Sequence, residues 1–148
     1  MLRDVLDEIA TVLRTEIGAS LASDGIDVEI EPRMVLSPSE GICLDVYRGE
    51  SARDGASAGM GDISGVYALT VRARATTADG DEAQDILTDM SDDLNEICVA
   101  AALESAEYEW ATFVAVDPDG FSGLLDFSTA ASPMVGCTWR VLTGVAVS

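Results

Sequence analysis

The sequence predicts an α+β domain, a largely antiparallel or mixed sheet of about six strands with two helices packed on one face. Three observations point there. Two segments carry apolar residues at helical spacing, six others alternate apolar and polar residues at strand spacing, and the strands fall into groups with helices between them. A chain of 148 residues holds one domain with a real core, and a 48% apolar content is incompatible with disorder throughout.

The first helix is expected over residues 2–17. Leu2, Val5, Leu6, Ile9, Val12, Leu13 and Ile17 form a single apolar stripe, and Gly18 stands where such a helix would stop. Ile26, Val28 and Ile30 then alternate with Asp27, Glu29 and Glu31 until Pro32 closes the run. A second strand follows in Ile42, Leu44 and Val46 against Cys43, Asp45 and Tyr47. Residues 49–65, GESARDGASAGMGDISG, hold five glycines and almost nothing to bury, which predicts a long flexible loop or arm. From Val66 to Thr77 a long strand points Tyr67, Leu69, Val71, Ala73 and Ala75 one way. Ala68, Thr70, Arg72, Arg74 and Thr76 point the other way.

The second helix is expected from Glu82 to Leu103, with Ala83, Ile86, Leu87, Met90, Leu94, Ile97, Cys98 and Ala101 on its apolar side. Asp85, Asp89, Asp92, Asp93 and Glu96 lie opposite. Strands at Trp110 to Asp117, Phe121 to Ser128 and Val135 to Val147 complete the chain, the first two joined by a tight turn at Pro118, Asp119 and Gly120. No internal repeat interrupts this order.

Charge narrows the functional classes. Twenty-seven carboxylates face eight arginines, for a net charge of −19, and the chain has neither lysine nor histidine. An exposed nucleic-acid backbone would be repelled by such a surface. Without histidine the commonest general base is missing, and without lysine there is no Schiff-base chemistry, so enzymatic activity is not expected. No run approaches the 18 or more apolar residues of a membrane-spanning helix, and Asp4, Asp7 and Glu8 interrupt the region where a signal peptide needs an apolar core. A protein that stays in the compartment where it is made is expected. Cys43, Cys98 and Cys137 are odd in number, far apart and set within apolar patterns, the signature of buried free thiols rather than of disulfides or a zinc site.

The run Asp79, Asp81, Glu82, Asp85 resembles the start of a calcium loop only on the surface. Counted from Asp79, the fifth and sixth positions are Ala83 and Gln84, where a calcium loop needs an oxygen ligand and a glycine. Gly80 alone, without a following lysine, makes no phosphate loop. A helix start fits better, with Asp81 capping and Gln84 three residues on closing a capping box. No metal or cofactor is expected. Arg72 and Arg74 share one strand face. They are either exposed charges that neutralise nearby carboxylates or a basic stripe that meets an acidic face of a neighbouring subunit.

The layout as a whole resembles the tail terminator (tail completion) proteins of long-tailed bacteriophages and the head–tail connector group around them. Four segments carry the resemblance: the N-terminal helix LRDVLDEIATVLRTEI, the middle strand GVYALTVRARATT, the helix DEAQDILTDMSDDLNEICVAAL directly after it, and the last strand GCTWRVLTGVAV with its tryptophan. The resemblance implies a non-enzymatic virion protein, assembled as a homo-oligomeric, hexameric ring. Such a ring caps the tail tube, ends its polymerisation and offers the surface for head joining, while DNA passes through the lumen without specific binding. Its partners would be other copies of itself, the tail-tube protein and a neck or connector protein, with no membrane involved. An interface is then expected between Arg72 and Arg74 on one subunit and Asp85, Asp89 and Asp92 on the next, with Arg53 and Met60 contributed by the glycine-rich loop. A head-side neck protein of the same virion is the near alternative. From another class, an acidic DNA mimic that occupies a DNA-binding protein is the rival reading.

Overall fold

The structure, a computed structural model, describes residues 2–38, 41–49, 66–77, 79–129 and 132–145. Apart from Gly49, the glycine-rich loop with Arg53 and Met60 lies outside the described residues. Helix α1 (Leu2–Leu13) buries Val5, Leu6, Ile9, Ala10 and Leu13. It does not end at Gly18 as expected. One π turn (Arg14–Gly18) carries the helix into α2 (Ala19–Ser23), which buries Leu21. The wider turn shifts the helical phase so that Ile17 and Leu21 stay on the covered side. Gly18 is a packing glycine: a Cβ there would sit 3.0 Å from the Ile30 Cδ1 atom. The stop comes instead at Gly25, whose φ of 80° lies in the left-handed region that glycine adopts without cost.

Strands β1 (Val28–Glu31), β2 (Gly41–Arg48), β3 (Val66–Thr76), β4 (Ala111–Val116), β5 (Leu125–Asp126) and β6 (Met134–Val145) make one mixed sheet. Its order is β1-β2-β3-β6-β4, with β5 also on β6. The long strands β3 and β6 pair antiparallel from Val66↔Gly144 to Thr76↔Met134 and form its spine. β1 and β2 pair in parallel, Val28 beside Ile42 and Glu31 beside Asp45, which makes the sheet mixed. β5 is far shorter than the expected Phe121 to Ser128.

All helices cover one face. There Leu44, Val46, Leu69, Val71, Trp139 and Val141 are fully buried and join the helical stripe in one core. The expected second helix is three pieces: α3 (Gly80–Asp89), α4 (Ser91–Leu94) and α5 (Glu96–Ser105). Asn95 causes the break nearest the C-terminus. Its backbone is extended (ψ 165°) and its side chain accepts a 2.7 Å bond from the Cys98 amide, so the helix restarts with a new phase. Val99 and Leu103 now face the core, while Ile97 and Ala101, expected inside, are exposed. At the start of α3 the cap is Asp79, not Asp81. The Asp79 side chain accepts from the Asp81 amide at 3.0 Å, and the helix begins two residues earlier than the proposed box. Asp117 likewise accepts from the Asp119 amide to form the expected turn over Pro118–Gly120, a single 3₁₀ turn.

Gly136 on β6 faces Arg74 on β3, and a Cβ there would overlap the Ala73 carbonyl oxygen. Backbone on backbone leaves nothing flexible to yield. Gly136→Ala is therefore expected to lower unfolding stability by about 2 kcal/mol or more in urea titration, as overpacking at a rigid contact does. Gly120→Ala meets only the Arg140 side chain and Cα region and serves as a milder comparison.

Candidate functional site

The face of the sheet away from the helices carries the arginines. Register places Cys43 beside Arg74, Asp45 beside Arg72 and Tyr47 beside Thr70. Asp45 is fully buried. Its carboxylate accepts from Arg72 Nε at 3.0 Å and Arg72 Nη2 at 2.5 Å, and from Arg74 Nη2 at 3.2 Å. The Val35 amide donates to the same carboxylate at 2.9 Å, and the Val35 carbonyl accepts from Arg74 Nη2 at 2.7 Å. The Tyr47 ring lies 5.0 Å from the Arg72 guanidinium carbon and the Phe127 ring 6.0 Å from it, and Met134 Sδ lies 3.9 Å from Arg74 Nη1.

Two guanidiniums and one carboxylate thus share a buried site, and the carboxylate's lone pairs are satisfied by charged donors and one amide. Burial acts to lower the Arg72 pKa, but its hydrogen bonds to Asp45 and the charge of that group outweigh burial and leave it raised. The Arg72 and Arg74 side chains therefore do not form an exposed stripe on the single chain: Arg74 is buried and Arg72 half-buried. They tie the strap of residues 33–36 to the sheet. The sequence signal for this was a lone Asp45 within the apolar run ICLDVY. Its alternation phase is that of Cys43 and Tyr47, so any pairing of β2 with β3 puts it among the arginines.

The other expected interface residues divide. Asp85 and Asp89 are exposed one turn apart on α3, and Asp92 falls in α4. Arg53 and Met60 lie outside the described residues. Among the described residues, no cluster of three His, Cys, Asp or Glu side chains could hold a metal ion, and no helix is long and apolar enough to cross a membrane.

On the helix face, sequence reasoning missed an open apolar cleft of about 490 Å³. Leu87, Leu94, Ile97, Phe121, Leu124 and Cys137 line it, with Thr88, Ser91, Asn95 and Glu96 around them. It exists because the helix breaks at Asn95. The restart turns Ile97 outward at 78% exposure, and Leu124 beyond it is 59% exposed. Phe121 forms the floor, its ring 5.5 Å from that of the buried Trp139. The lining is mainly apolar, with the polar groups at its margin. Comparison with protein-family models returns no match for this chain, and comparison with curated proteins returns no significant similarity.

Two outcomes test this account. Asp45→Asn is expected to cost about 3–5 kcal/mol of unfolding stability, the effect of leaving buried charge uncompensated, whereas the exposed Arg33→Gln changes it by less than about 0.5 kcal/mol. The thiols supply the second. Burial, with the Asp45 charge adding to it, raises Cys43 from 9.0 to about 11, and burial raises Cys137 from 9.0 to about 12. Both are protonated in the fold where the unfolded chain would ionise. Their contribution is thus complete below about pH 9 and is lost as pH rises through 11 to 12. Urea midpoints measured from pH 8 to pH 11 should fall, and Cys43→Ser with Cys137→Ala should flatten that fall.

Proposed function

We propose that the chain is a ring-forming structural protein of a long-tailed phage virion, a tail terminator that caps the tail tube and presents the head-joining surface. The observation that carries this reading is the apolar cleft left open on the helix face beside the exposed Ile97 and Leu124. An isolated subunit gains nothing by exposing such surface, whereas an assembling one covers it. The layout supports the same reading. A long central strand runs directly into an acidic helix, and a tryptophan-bearing last strand completes the spine, as in the group the sequence resembles. The charge of −19 suits a lumen through which DNA passes without sticking.

Tube assembly in the presence of the purified protein tests the proposal. The expected outcome is tubes that stop growing and carry a ring at one end in negative-stain images. Tubes of unlimited length with bare ends, at protein in excess over tube ends, contradict it.

A further inference from the structure

Among the described residues, the arginines outside the buried site are not spread evenly. Arg3, Arg33 and Arg48 line one groove of about 320 Å³, between the start of α1, the strap and the end of β2. Arg33 is exposed and has no ion-pair partner among the described residues. Arg48 is exposed and lies over the Tyr67 ring at 5.0 Å. Arg3 donates to the Pro32 carbonyl at 2.6 Å and only grazes Asp7 at 4.0 Å. In a chain with 27 carboxylates, three guanidiniums gathered in one place stand out. The same corner carries Met34 at 47% and Leu36 at 83% exposure. Val35 between them is held by its backbone, its amide donating to Asp45 and its carbonyl accepting from Arg72 and Arg74, which fixes the strap that carries both.

The cleft on the helix face has the complementary character. It is apolar within and Glu96 lies on its wall; exposed Asp85 on α3 comes three residues before the lining Thr88, and exposed Asp126 on β5 two residues after the lining Leu124. One surface is a pair of apolar knobs among cations, and the other is an apolar hollow with acidic residues in the segments that line it. The corner is built on α1, the strap and the end of β2, and the cleft on α3, α4, α5, the segment before β5, and β6, so the two surfaces share no residue.

Resting on the ring reading above, we propose that the Arg33–Leu36 corner of one copy of this chain docks into the Ile97–Leu124 cleft of the next. Contact between two different surfaces is heterologous, so it propagates from copy to copy until the rotation closes a ring. Leu36 and Met34 supply the apolar anchor, and Arg33 and Arg48 face the carboxylates around the cleft, which sets the orientation and makes assembly sensitive to salt.

Leu36→Asp removes the knob and Ile97→Asp spoils the cleft. Both side chains are exposed, so both variants should melt as the wild type does by circular dichroism; Met34→Asp and Leu124→Asp replace either one that does not. Sedimentation velocity of the full chain should show wild-type oligomers, and each variant alone as monomer. An equimolar mixture of the two should give a one-to-one dimer that grows no further, since one intact knob and one intact cleft remain. Arg33→Glu should weaken wild-type assembly about tenfold or more, with the effect shrinking at high salt. Wild type that stays monomeric at every concentration overturns this docking and the ring together. Wild type that assembles while both variants assemble equally well overturns the docking and leaves the ring. A mixture that yields only monomer overturns the heterologous geometry.

Discussion

The carboxylate of Asp45 organises more of this molecule than any other single group. It sits fully buried in the second strand and holds two arginines of the third, and through the Val35 amide it also holds a strap that no strand pairing would fix. The arginines complete the hold from the other side, both donating to the Val35 carbonyl. A pair of guanidiniums on a central strand would be intolerable without the carboxylate, and the carboxylate without them.

The remaining arginines show how a chain of charge −19 spends its few cations. Arg14 of the π turn donates to the Ile30 carbonyl of β1 at 2.7 Å, and Arg3 of α1 to that of Pro32 just after it, so both fasten the edge strand and its end. That edge is thereby engaged by charged groups of the same subunit, one of the ways a sheet avoids pairing with a stranger. Arg140 meets Asp117 at 3.4 Å where β4 turns toward β5. Among the described residues, Arg33 and Arg48, with Arg3 beside them, gather at one corner, the corner that also displays Met34 and Leu36.

Much of this architecture was legible in the sequence because it rests on local alternation. The strands β2, β3 and β6, the first helix and the covered face follow from which residues are apolar and at what interval. What escaped was decided by contacts distant in sequence. Gly18 looks like a stop by local rules, but it is the point where the helix passes closest to Ile30. Ile97 fits the apolar side of a continuous helix, but Asn95 breaks the phase and turns it out. Arg72 and Arg74 look exposed on a strand with one polar face, because nothing local reveals that the strap, Phe127 and Met134 cover that face. The cleft escaped for the same reason as Ile97, since it is a product of the break and not of any motif.

The central claim is that the buried Asp45 site fixes the strap and so displays Met34 and Leu36. Native-state hydrogen exchange at the Val35 amide tests it most directly. The account predicts exchange as slow as the paired amides of β2 and β3 in the wild type, and loss of that protection in Arg74→Met while the strand amides keep theirs. A Val35 amide that exchanges at the rate of an open loop in the wild type would contradict it.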